Sequence, residues 1–249
     1  MNLIKIISHK IYESLSIVPA LTGGTLAKRS RPRSDGQIIG GRPTSVNRHP
    51  YQVSMVINGN SFCGGFIISR DYVLTAAHCV QNSRKRSLLT RRDSGGRIVR
   101  VSNVTVHARY GQPQFDNDIA TLRLAQPLNF NQNIRPIRLP QPGQAVPLVR
   151  LTVTGWGLTA VSYTNVPVVP HWLCRLSYGD ALTNNMICGG HFLIGGVSSC
   201  QGDSGGPAVF RNIAFGIVSF ARGCALPLSP TVFTNTASLR DWITDNTGV

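Results

Sequence analysis

Acidic side chains are scarce in this sequence: 10 Asp plus Glu stand against 25 Lys plus Arg, a formal charge of +15 over 249 residues. Such a surplus bears on solubility and on anionic partners, not on fold. No Cys-x-x-Cys pair occurs, which removes the usual pattern of a structural zinc site. No run of about 18 uncharged apolar residues occurs either, so no transmembrane helix and no membrane partner are expected. Met1 to Leu21 is broadly apolar, but Lys5, His9, Lys10 and Glu13 interrupt what a signal-peptide core would need. There is no internal repeat, and with it no solenoid.

The basic side chains cluster. Arg84, Lys85, Arg86, Arg91, Arg92, Arg97 and Arg100 share one stretch with Asp93 alone opposing them. Nucleic-acid grooves interleave aromatics with their cations, and residues 84 to 100 contain none, so a solvated loop is expected, with contact to an acidic substrate or glycan as the alternative, and nucleic acid is not expected. The six cysteines are an even number and suit three disulfides in an oxidising compartment, with 15 connectivities open on spacing alone.

Residues 22 to 37 are polar, basic and turn-rich, with nothing periodic to bury. Residues 1 to 37 therefore read as a signal and pro-segment ahead of a domain spanning 38 to 249; their removal takes away six basic and two acidic side chains and leaves +11. Short β-branched runs follow, at Gln52 to Ile57, Phe66 to Ser69, Ile98 to Ser102 and Ile119 to Leu124, divided by Gly, Pro, Asn and Ser. That spacing predicts an all-β barrel or sandwich over about 38 to 135. Pro136, Pro140, Pro142 and Pro147 interrupt any ladder and mark a crossing to a second unit over about 148 to 237. Leu239, Trp242 and Ile243 behind Ser238 predict a short amphipathic helix over 238 to 247.

Gly202-Asp-Ser-Gly-Gly-Pro207 is the sharpest motif. A serine amid small residues can occupy a tight turn with its hydroxyl exposed, while the N–H groups of Gly202 and Ser204 converge as an oxyanion hole. Thr75-Ala-Ala-His-Cys79 sets a histidine beside a cysteine after a strand-like run, and Asp116-Asn-Asp-Ile-Ala120 sets Asp118 at the head of an apolar one. Histidine can take the serine proton and return it to the leaving group, and a buried carboxylate fixes the imidazole and stabilises its cation.

These segments, in this order, resemble the trypsin/chymotrypsin/elastase family of serine proteases, as do Ile38-Ile-Gly-Gly41, Phe62-Cys-Gly-Gly65, Thr154-Gly-Trp-Gly157 and Met186-Ile-Cys-Gly-Gly190. The resemblance runs from Ile38 to the end. It implies two antiparallel six-stranded β-barrels with the active site between them and a short C-terminal helix. It implies a catalytic triad of His78, Asp118 and Ser204, and disulfides joining Cys63 to Cys79, Cys174 to Cys188 and Cys200 to Cys224. It implies secretion, no cofactor and a monomer acting on protein or peptide substrates, open to protein protease inhibitors. The family's calcium loop relies on carboxylates, and the matching region near 83 to 96 is basic, so no metal is expected.

The resemblance further implies activation by another protease, in which cleavage before Ile38 frees an α-amino group to pair with Asp203. Trypsin-like activators want Lys or Arg ahead of the cut, and the residue there is Gln37. The pocket base falls on Ser198 and the neck on Ala221 and Thr231, which implies an elastase-like preference for small uncharged P1 residues; a chymotrypsin-like preference is the alternative. Ser219, Phe220 and Ala221 fall where substrate backbone pairs as an added strand. Asn103-Val-Thr105 is a glycosylation sequon. A different class of reading, a non-catalytic homologue acting as a binding protein or decoy, draws on Gln37 and on a short segment between Trp156 and Cys174, whose loss of a barrel strand would expose an edge.

Overall fold

A computed structural model describes residues 3–7, 38–57, 60–81, 96–156 and 161–249. The polar segment 22 to 37, the greater part of the basic cluster and the region matching the family's calcium loop lie outside the described residues.

The first barrel closes from six antiparallel strands: β1 (Leu3–Ile7), β3 (Gln52–Ile57), β4 (Asn60–Ile67), β5 (Tyr72–Thr75), β7 (Ala120–Leu124) and β6 (Gly96–Val106), in that spatial order. Alternation decides which face of each strand turns inward. In β6, Val99 and Val101 are buried while Arg100 and Ser102 face out; in β7, Arg123 alone is exposed. Phe66, Ile67, Leu74, Ile119 and Leu122 are fully enclosed in the resulting core, each worth roughly 1.5–3 kcal/mol of transfer free energy. The strand β1 was not foreseen from sequence. It pairs with β3 from Leu3 to Lys5 and with β6 from Leu3 to Ile7, and so fills the gap between them.

Pro136 to Pro147 carries the chain across without regular structure, as its missing N–H groups require. The second sheet runs β10 (Met186–Gly189), β13 (Thr231–Asn235), β12 (Ile213–Phe220), β11 (Pro207–Phe210), β8 (Arg150–Trp156), β9 (Val161–Val169), with the two-residue β2 (Arg42–Pro43) on the outer side of β9. Cys188 and Gly189 of β10 then meet Val169 and Val168 of β9, which brings this sheet round on itself. The short segment after Trp156 thus keeps its strand: β9 pairs with β8 along seven register positions and with β10 at its far end, leaving no barrel edge open there.

Among the described residues, two α-helices complete the fold. α1 (His171–Tyr178) was not anticipated; it buries Cys174 and Tyr178 against the second barrel. α2 (Arg240–Thr247) places Ile243 and, just ahead of it, Leu239 in the first barrel's core. The Ser238 hydroxyl bonds the Asn235 carbonyl instead of capping the helix. Disulfides join Cys63 to Cys79, Cys174 to Cys188 and Cys200 to Cys224.

Candidate active site

His78 sits in the single turn Ala77–Cys79 that follows β5, and Asp118 at the end of the loop that enters β7; β5 and β7 are paired neighbours, so the first barrel delivers both. Asp118 is completely buried. Its Oδ1 accepts the backbone N–H of His78 at 2.9 Å, and its Oδ2 lies 2.7 Å from His78 Nδ1. A second bond to Oδ2 comes from the hydroxyl of Ser219 on β12, across the barrel boundary, and Thr234 Oγ1 of β13 donates to the Asp118 carbonyl at 2.9 Å. The imidazole is thereby held in place by its Nδ1 side and remains partly open to solvent, with a side-chain exposure of 29%.

Ser204 belongs to the second barrel, in the turn ahead of β11. Its carbonyl accepts the N–H of Gly64 at 2.7 Å, and Gly64 adjoins Cys63, whose disulfide partner Cys79 adjoins His78. The Cys79 sulfur lies 3.7 Å from both His78 Nε2 and the Ser204 carbonyl, so both groups border the same disulfide. Cys63, His78 and Cys79 are close enough together to suggest a metal site, but both sulfurs are spent in the disulfide.

The turn itself is tight. Asp203 N–H bonds the Cys200 carbonyl and Gly206 N–H the Asp203 carbonyl, while the N–H groups of Gly202 and Ser204 find no acceptor among the described residues. Gly202 has φ +92°, a conformation other residues rarely adopt. Asp203 is fully buried against Gly155, where a Cβ would lie 1.8 Å from Asp203 Oδ1, so a side chain there would displace the carboxyl. Oδ2 accepts the Cys200 N–H at 3.0 Å, and Oδ1 has no partner. Burial pushes the Asp203 carboxyl up to about 7, against the opposing pull of that N–H. Ile38 is buried, and the next residue, Ile39, forms an antiparallel bridge with Ser198, five residues ahead of Asp203 in the chain.

A cavity of about 180 Å³ opens beside the serine, lined by Ser199, Cys200, Ser204, Ser219, Phe220 and Ala221 among others. Ser198 and Thr231 are buried and are not among its lining residues. Their hydroxyls meet each other at 2.9 Å, and the lining residue Ser199 donates to Thr231 Oγ1 at 3.3 Å. Phe220 stacks on Phe115 with ring centroids 4.7 Å apart and meets the edge of Tyr178 at 5.6 Å. Phe115 and Tyr178 were not singled out from sequence, because their partner lies about 40 to 100 positions away.

Two barrels with histidine and aspartate on one, a serine turn on the other and a cavity beside it define the chymotrypsin-like serine endopeptidases. The trypsin family profile matches residues 38–243, and the chain belongs to that family. It is 39% identical to a trypsin of Phaedon cochleariae over 230 residues, 86% of this chain and 89% of the relative. It is 36% identical to trypsin beta of Drosophila erecta over 253 residues (93% and 97% of the two chains) and 37% identical to trypsin 5G1 of Aedes aegypti over 250 residues (92% and 93%). The protein is a serine endopeptidase, and its substrates are proteins or peptides.

Proposed function

We propose that this enzyme is a secreted, monomeric endopeptidase that cleaves after small uncharged residues through an acyl-enzyme on Ser204. His78 takes the Ser204 proton as Oγ attacks the scissile carbonyl, and later gives it to the leaving amine; Asp118 orients the imidazole and stabilises its cation. The N–H groups of Gly202 and Ser204, which have no other acceptor among the described residues, receive the charge developing on the carbonyl oxygen. The backbone of Ser219, Phe220 and Ala221 pairs with substrate as an added strand, with the Phe220–Phe115 stack as an apolar wall.

The Ser198–Thr231 hydroxyl pair carries the specificity reading. The name trypsin, if applied to this chain, would mean cleavage after Lys or Arg, and that needs an anion at the pocket base. The base position falls on the neutral Ser198 instead, Ala221 and Thr231 fall at the neck, and a buried lysine or arginine head would find no counter-charge there. Short aliphatic side chains suit the remaining space.

Residues 1–37 act as a pro-segment, cut before Ile38 by a protease other than the enzyme itself, since Gln37 does not suit either candidate specificity. The freed α-ammonium of Ile38 pairs with the vacant Oδ1 of Asp203, a partner that the buried carboxylate lacks in the uncut chain. Protein protease inhibitors are natural ligands of the resulting cleft.

The test is turnover of a P1 panel (Ala, Val, Leu, Phe, Arg) by full chain carrying a specific cleavage site inserted ahead of Ile38 and cut in vitro, beside Ser204→Ala. Turnover of Ala and Val that vanishes in the control is expected. Preference for Phe or Arg overturns the pocket assignment, and a wild type as inert as its control overturns the triad.

A further inference from the structure

Two residues ahead of Asp118 stands a second buried carboxylate with a role of its own. Asp116 is 6% exposed, and among the described residues no Lys, Arg or His forms an ion pair with it. All its side-chain bonds are to neutral donors: Oδ1 accepts Thr183 Oγ1–H at 2.7 Å, and Oδ2 accepts Asn117 Nδ2 at 3.1 Å and Asn185 Nδ2 at 3.3 Å. Thr183 and Asn185 belong to the second barrel, immediately ahead of β10.

The partners are themselves anchored. The Asn185 carbonyl accepts the N–H of Asn235 at the end of β13, and the Asn185 N–H bonds Thr183 Oγ1. Asn185 Nδ2 also reaches Asn117 Oδ1 at 3.2 Å, and Asn117 Nδ2 reaches the Arg109 carbonyl at 3.3 Å. Asn117 sits at φ +52°, so the backbone that presents Asp118 turns left-handed one residue before it, a conformation that costs energy and persists only when its surroundings hold it.

His78 and Asp118 come from the first barrel and Ser204 from the second, so the alignment of imidazole and serine depends on how the barrels sit against each other. A displacement of about 1 Å at a reacting group can cost on the order of 10²-fold in rate. We propose that Asp116 is a positioning residue: with Asn185 and Thr183 it clasps the Asp118 loop to the second barrel and so sets the histidine against the serine. A carboxylate suits this place because one side chain must accept from three donors at once. The inference rests on the triad reading above.

The experiment compares kcat, KM and melting temperature for wild type, Asp116→Ala, Asn185→Ala, their double variant and Asp116→Asn, on the preferred small-P1 peptide. All are full-length chain cut before Ile38, with sites counted by a fluorophosphonate titrant. Asp116→Ala is expected to lower kcat per titrated site about tenfold with KM within twofold, and the double variant to be no slower than Asp116→Ala. Asp116→Asn, whose oxygen can accept from Asn185 and whose amide can donate to Thr183, should recover kcat to within about threefold of wild type. An unchanged kcat per site with a lowered melting temperature, or losses that multiply in the double variant, overturns the clasp alone. A wild type as inert as Ser204→Ala overturns the triad reading and this one with it.

Discussion

Ser219 of the second barrel donates its hydroxyl to Asp118 Oδ2, the same oxygen that lies 2.7 Å from His78 Nδ1 in the first. Asp118→Asn would keep the shape of this junction but put an amide where an acceptor is required, leaving the imidazole in the wrong tautomer. A loss of about 10⁴ in kcat is expected, a magnitude set by the established Ser-His-Asp template rather than by this geometry. Ser219→Ala removes one neutral donor from that carboxylate and should cost far less, about tenfold. Steady-state kinetics on a small-P1 peptide will read both, and equal losses would mean that Ser219 does more than support the carboxylate.

The Ser198–Thr231 contact yields a prediction about depth. Thr231→Gly removes the side chain that Ser198 and Ser199 both bond, and should lengthen the cavity. Turnover of Phe relative to Ala is expected to rise by roughly 10-fold to 200-fold, the range that one or two carbons produce in an apolar pocket. On the proposed pocket, which puts Thr231 and Ala221 at the neck, Ser198→Asp alone should not confer Arg cleavage; adding Thr231→Gly and Ala221→Gly should. Arg turnover by the single variant would show that the neck is wider than Ala221 implies.

Asp203 predicts a pH dependence of folding in the uncut chain. Its folded pKa of about 7 lies above the usual 3.8, so the native state binds more protons between these values and loses stability as pH rises from about 4 to 7. The full effect is on the order of 4 kcal/mol. His49 acts in the opposite sense, because burial first and Arg48 second lower it to about 4, so that stability rises with pH between about 4 and 6.5. Urea unfolding of wild type and Asp203→Asn across pH 4 to 7 separates the two, since the variant keeps the His49 slope. Cutting before Ile38 should abolish the Asp203 slope; if it persists, no ammonium has reached the carboxylate.

The strand β1 predicts that the N-terminal segment contributes to the first barrel. Deleting residues 1–7 leaves the facing edges of β3 and β6 unpaired and should lower the melting temperature by about 5 °C. In chain cut before Ile38, the released segment has no cysteine to retain it, and the ladder alone should keep it associated on gel filtration until denaturant is added. An unchanged melting temperature would mean that β1 adds nothing to closure.

Much of this enzyme could be read along the chain. Gly202 to Pro207, Thr75 to Cys79 and Asp116 to Ala120 are contiguous motifs, and each carries its chemistry within a few residues. The alternating apolar runs foretold strands. The helix α1 escaped because Trp172 and Leu176 are turned to solvent, so its apolar residues do not form one clean stripe. The shortness after Trp156 suggested a missing strand, but length alone does not say whether a deletion falls in a loop or a ladder; here β9 survives intact.

What the sequence determined by itself was the all-β character and the motifs from which the triad is proposed, because both rest on local pattern. Tertiary structure alone decided how Asp116 is satisfied, that Phe115 stacks on Phe220, that Asp203 Oδ1 is left without a partner and that Leu3–Ile7 lies between β3 and β6. The pairings of Asp116 with Thr183, of Phe115 with Phe220 and of β1 with β3 and β6 join residues tens of positions or more apart, and such pairings follow from barrel closure and the packing of one barrel on the other, which no short stretch of sequence encodes.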